Sequence, residues 1–99
     1  MDVHFLYRDQ SFVWDGLKAV DNRAKHGISF EEACEAFFDP YSDFLDASVN
    51  EESRIALLGL IRTKKLLYVV YVERDPSGIR IISARQATSQ ERDIYENGS

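Results

Sequence analysis

Between Arg54 and Arg85 the sequence sets three apolar runs between two short polar connectors, and no other feature narrows the fold as far. The runs Arg54–Ile61, Leu66–Arg74 and Ile79–Arg85 read as β-strands. Their connectors, Arg62-Thr63-Lys64-Lys65 and Asp75-Pro76-Ser77-Gly78, are short and turn-prone, as hairpin loops must be. Consecutive antiparallel pairing follows, so the core of the chain is expected to be a meander over 54–85.

The flanks supply helices. Asp15 before Gly16-Leu17-Lys18 is an N-cap, and Gly27 provides a left-handed stop, which predicts a first helix over 16–26. Leu17, Val20 and Ala24 recur at helical spacing and are expected to form its buried stripe, with Asn22, Lys25 and His26 on the opposite, wet face. Ser29-Phe30-Glu31-Glu32 is a capping box that opens a second helix. Phe30, Ala33, Cys34 and Phe37 make its apolar side, Glu31, Glu32 and Glu35 its wet side, and Asp39-Pro40 ends it. Thr88-Ser89-Gln90-Glu91 repeats the capping signal before a short C-terminal helix, which must dock to be stable. Alternation at Val3, Phe5 and Tyr7, then Phe12-Val13-Trp14, predicts one or two strands ahead of the first helix; segment 41–53 is an acidic loop with room for a short strand near Phe44-Leu45. The fold class is α+β: an antiparallel sheet with two N-terminal helices packed on it and a short helix at the end.

The 99 residues suffice for one domain and not for two. The longest apolar runs, Ile55–Ile61 and Leu66–Val72, are far below the roughly 20 residues of a membrane-crossing helix. Met1–Arg8 shows neither a basic flank before an apolar stretch nor a small-residue cleavage site, so a cytoplasmic protein is expected. Cys34 is the single cysteine and reads as a core residue rather than a reactive thiol. Net charge is −5, but residues 1–53 hold 4 basic and 12 acidic side chains while residues 54–99 hold 8 basic and 5 acidic. The basic second half can hold a polyanion while the acidic first half meets a basic partner.

Phosphate-binding glycine loops, Cys-x-x-Cys or paired-histidine metal spacings and the Gly-x-Ser-x-Gly elbow are all missing, so no metal site and no cofactor is expected. Conspicuous polar residues are Asn22, Lys25 and His26, then Arg54, Glu73, Arg80, Arg85, Arg92 and Tyr95. Lys25 and His26 complement the negative end of a helix, yet histidine is also the usual proton-transfer group near neutrality. Arg80 and Arg85 stand five apart on one strand, so they point to opposite faces unless a bulge intervenes; one is expected to face phosphate and the other a structural carboxylate. Arg92 and Glu96 form a surface i, i+4 pair, and Glu91 is accounted for as a cap.

These residues together carry a resemblance. Phe12-x-Trp14-Asp15, Asn22-x-x-Lys25-His26-Gly27-Ile28-Ser29-Phe30-Glu31-Glu32-Ala33, Asp39-Pro40, Glu52-x-Arg54, Gly59, Val72-x-Arg74 with Glu73, and Arg80-Ile81-Ile82-Ser83-Ala84-Arg85-x-Ala87-Thr88-x-x-Glu91-Arg92-x-x-Tyr95-Glu96 resemble the BrnT toxin family in order and spacing. The similarity spans Phe12 to Glu96 and leaves residues 1–11 as an N-terminal extension. It implies a RelE-like fold and an endoribonuclease toxin that cleaves RNA and blocks translation. It also implies neutralisation by a ribbon-helix-helix antitoxin of the BrnA type, in a hetero-oligomer built on an antitoxin dimer, with DNA reached only through that partner. For such a reaction the candidate catalytic residues are His26, Glu73, Arg80 and Arg85, with Lys25, Arg54 and Tyr95 as substrate-binding candidates. The rival reading is a catalytically silent module that binds an antitoxin and joins in operator repression.

Overall fold

The computed structural model describes residues 1–50, 52–73 and 76–98; the Arg74 end of the second apolar run and Asp75 of its connector lie outside the described residues. Chain order is β1 (Asp2–Tyr7), β2 (Gln10–Asp15), α1 (Gly16–His26), α2 (Phe30–Ala36), β3 (Asp43–Asp46), β4 (Ile55–Leu60), β5 (Leu66–Val72), β6 (Ile79–Gln86) and α3 (Ser89–Asn97). Among these residues the strands form one sheet in the order β1-β2-β6-β5-β4-β3.

Strands β4, β5 and β6 pair antiparallel in chain order. The sheet as a whole is mixed, which corrects the expectation of an antiparallel one: β2 pairs parallel with β6 at Phe12–Ile79 and Val13–Arg80. A parallel neighbour needs a long crossover, and the chain between β2 and β6 is long enough to supply it, so no local sequence signal marks the contact. Residues 1–11 contribute an edge hairpin. Arg8 and Asp9 both hold positive φ (51° and 67°), which is the backbone of a two-residue loop matched to strand twist.

The helix α2 packs on one face of this sheet. Its capping box is complete: Ser29 Oγ accepts from Glu32 N–H at 3.0 Å, and Glu32 Oε1 accepts from Ser29 N–H at 3.0 Å. Phe30, Ala33, Cys34 and Ala36 are buried, against Phe12, Trp14, Leu57, Leu67, Val69, Tyr71, Ile81 and Ala84 of the strands. Edge-to-face rings bind the layers, Trp14 to Phe30 at 5.7 Å and Phe37 to Tyr71 at 4.9 Å. A Cβ on Gly59 would stand 2.4 Å from the carbonyl oxygen of Ala36, so only glycine lets α2 approach β4 this closely. Cys34 is fully buried and donates to Phe30 O at 3.3 Å; burial, then the charge of Glu31, pushes its thiol pKa up, in keeping with a core role.

The first helix departs from its predicted orientation. Leu17 and Val20 are 74% and 66% exposed and Ala24 is also exposed, whereas Asn22 is buried at 7%. The cause is the unpaired edge that β6 presents once β2 has diverged from it. The Asn22 side-chain amide donates to Ala84 O at 2.8 Å and to Ile28 O at 3.1 Å, and its Oδ1 accepts from Ala84 N–H at 3.1 Å. It stands in for the missing strand, and satisfying a buried peptide outweighs covering two aliphatic side chains.

Candidate nucleic-acid interface

The floor of the site is the sheet face turned away from α2. Register pairs Tyr68 with Arg85, Val70 with Ser83 and Val72 with Arg80, with a shift between Val70 and Tyr71 that leaves Ile82 as an extra residue in β6. Simple alternation would send Arg80 and Arg85 to opposite faces, and this bulge resets the parity. Both arginines therefore lie on one face. Each also meets a carboxylate, where the sequence reading expected only one such pair. Arg80 pairs with Asp2 at 2.8 and 3.2 Å. Arg85 grips both oxygens of Glu91 at 2.8 and 2.9 Å and lies 4.1 Å over the Tyr68 ring. The hydrogen bonds that Arg85 donates to Glu91 push its pKa up, and the same contact holds the Glu91 carboxyl below its ordinary value against the opposing effect of burial.

The wall is α1. Between it and the bulge runs an open groove of about 220 Å³ lined by Lys18, Asp21, Asn22, Lys25, His26, Ile82 and Ser83. Asp15 caps the helix through Leu17 N–H at 2.9 Å, and Gly27 ends it in the left-handed conformation at φ 72°. Asn22 fixes its rotation, so Lys18, Asp21 and Lys25, at i, i+3 and i+7, share the side that looks over the groove. Lys18, Lys25, His26 and Ser83 make no side-chain hydrogen bond or ion pair among the described residues. Two ammonium groups, an imidazole, a carboxylate and a hydroxyl thus face one concavity, a set able to hold a phosphodiester and move protons at it.

Of the residues singled out from sequence, the structure brings His26 and Lys25 into the groove and sets Arg80 and Arg85 on the sheet face beside it. Glu73 and Arg54 lie elsewhere. They line a separate cavity of about 610 Å³ with Phe44, Leu45, Asp46, Ser48, Ser53, Ile55 and Tyr71, and Arg54 is paired with Glu52 at 2.9 Å. Tyr95 is committed to structure: its hydroxyl donates to Asp39 Oδ2 at 2.5 Å, and burial together with that carboxylate pushes its pKa up to about 12. Lys18, Asp21 and Ser83 were missed. The spacing of Lys18 and Asp21 from Lys25 was a usable signal once the helix face was known, but Ser83 could not be placed without the bulge.

The family model described as the ribonuclease toxin BrnT of type II toxin-antitoxin systems matches residues 14–91. The chain is a member of the BrnT family. Membership makes RNA the target class and a protein antitoxin the partner of this BrnT-family chain. No curated relative matches it. The matched span begins at Trp14, so it contains α1, the groove and all of β6 but not β1. No helix among the described residues is long and apolar enough to cross a membrane.

Proposed function

We propose that this BrnT-family protein is an endoribonuclease that cuts RNA without a metal ion, in the groove between α1 and the β6 bulge. The observation that carries this reading is the convergence of Lys18, Lys25, His26, Asp21 and Ser83 on one groove. In the reaction the 2′-oxygen of a ribose attacks the neighbouring phosphorus. A P–O2′ bond forms, the P–O5′ bond breaks, and the 2′-hydroxyl proton leaves as a proton is delivered to O5′. His26 and Asp21 are the two proton-transfer groups the groove offers, and Lys18 and Lys25 oppose the charge that builds on the phosphoryl oxygens. Arg80 and Arg85, each paired with a carboxylate, lie farther along β6, four strand positions apart on the paired β5, or roughly 13 Å, where an RNA phosphate would compete with Asp2 or Glu91 for the guanidinium. Glu73 stands outside this set. Loss of messenger RNA blocks translation, and a ribbon-helix-helix antitoxin of the BrnA type neutralises the toxin, binding as a dimer that alone contacts DNA. The RelE-like architecture belongs to the same reading.

The test is binding and cleavage of a short RNA by Lys18→Ala and Lys25→Ala, alone and together. Each substitution is expected to weaken RNA binding and to flatten its dependence on salt by about one phosphate contact. Binding unchanged in the double variant would move the RNA site away from this groove.

A further inference from the structure

The cavity that takes Arg54 and Glu73 has a character of its own. Phe44, Asp46, Ile55 and Tyr71 share the sheet face on which α2 packs, because register pairs Asp46 with Ile55 and Ile55 with Tyr71. The groove and the two β6 arginines lie on the other face. The described lining of this cavity of about 610 Å³ carries the carboxylates Asp46 and Glu73 against the single cation Arg54, which Glu52 already pairs. Among the described residues Asp46 and Glu73 make no ion pair. Segment 41–53 leaves large apolar side chains in water, with Tyr41 78%, Phe44 59% and Val49 56% exposed. A cavity lined by two carboxylates beside the exposed ring of Phe44 has the chemistry that seats a long cation, whose stem lies on the ring and whose head meets the acids.

We propose that this surface docks the antitoxin, through a segment of it that alternates basic and apolar side chains, an arginine or lysine entering the cavity and an apolar neighbour covering Phe44. The proposal rests on the reading that the chain works with a type II antitoxin; the choice of site rests on charge complementarity and the exposed ring of Phe44. Docking here leaves the RNA groove on the other face, so binding and cleavage are separable by mutation.

Phe44→Ala and Asp46→Asn test it, since Phe44 is exposed and asparagine keeps an oxygen to accept the Ser48 N–H that Asp46 now accepts at 2.9 Å. Affinity for the antitoxin, purified from cells expressing both proteins and then separated, is measured by calorimetry at low and high salt. Phe44→Ala is expected to weaken binding about tenfold or more, and Asp46→Asn to reduce its salt dependence. Both variants free of antitoxin are expected to cleave RNA at the unaltered rate. Unchanged affinity and salt dependence in both variants, or no binding by the parent chain, would overturn the surface. Binding through Phe44 by a chain that does not cleave RNA would uphold the surface and overturn only the ribonuclease reading.

Discussion

Asn22 completes an edge that the sheet leaves open, and its three hydrogen bonds tie α1 to residues six and 62 positions away. Asn22→Ala strands the Ala84 N–H and two carbonyl groups, and is expected to cost about 2–4 kcal/mol, whereas exposed Leu17→Ala is expected to stay within about 0.5 kcal/mol. Urea denaturation of the two variants decides this, and equal stabilities would mean that α1 is held by its aliphatic side after all. Gly59→Ala sets a methyl group against the Ala36 carbonyl and is expected to cost about 1–3 kcal/mol, read as a lowered midpoint in the same assay. Local pattern found the caps, since each is a contact within a few residues. It misjudged Asn22 because the reason for its burial lies in β6, beyond the reach of any helical window.

At the scale of elements, α3 is held by two carboxylates that come from the sequence as mere punctuation. Asp39, expected only to end α2, accepts from Leu60 N–H at 2.8 Å, Tyr41 N–H at 2.9 Å and the Tyr95 hydroxyl, and so joins α2, β4 and α3. Glu91, expected only as a cap, also clamps Arg85. Partial burial pushes Asp39 up, but its hydrogen bonds prevail and hold it below its ordinary value, as they do for Glu91. A depressed carboxyl stabilises the fold above its unfolded pKa, and that contribution fades as pH falls through the folded value. Acid is therefore expected to release α3 before the sheet unfolds. At the alkaline end the sign reverses: the Tyr95 contribution is complete below its unfolded pKa near 10 and is lost as pH rises through about 12. Amide hydrogen exchange along α3 as a function of pH measures both limbs, and protection that falls only with the global transition would contradict this account. Arg85→Lys keeps the charge but loses the fork, so it is expected to raise α3 exchange about as much as Glu91→Gln, whereas Arg92→Ala, which breaks a 3.5 Å surface pair with Glu96, is expected to change little. The parallel β2–β6 contact and the bulge at Ile82 escaped the sequence for one reason: both are fixed by pairing between distant strands, whereas the β4–β6 order follows from connectors four residues long.

At the scale of the whole molecule, charge is divided between two faces rather than merely between two halves of the chain. The groove beside α1 holds Lys18 and Lys25 with Asp21, and Arg80 and Arg85 beside it are paired with Asp2 and Glu91, while the cavity on the α2 face holds Asp46 and Glu73 with Arg54, itself paired with Glu52; within a net charge of −5, the lysines of the groove are the cations the proposed RNA site relies on. Sequence grouped His26 and Lys25 with Glu73 and Arg54; the fold sets the first two in the groove beside α1 and the other two around the separate cavity. On the proposed mechanism, in which groove side chains move the protons, cleavage is expected to survive excess chelator, and loss of activity restored by a divalent ion would count against that. The decisive measurement is cleavage of purified RNA, in chelator, by the parent chain and by a His26→Ala variant shown to melt at the same temperature. The account predicts products ending in 2′,3′-cyclic phosphate from the parent and a loss of roughly 10²–10⁴ in rate for the variant; undiminished cleavage by folded His26→Ala would contradict it.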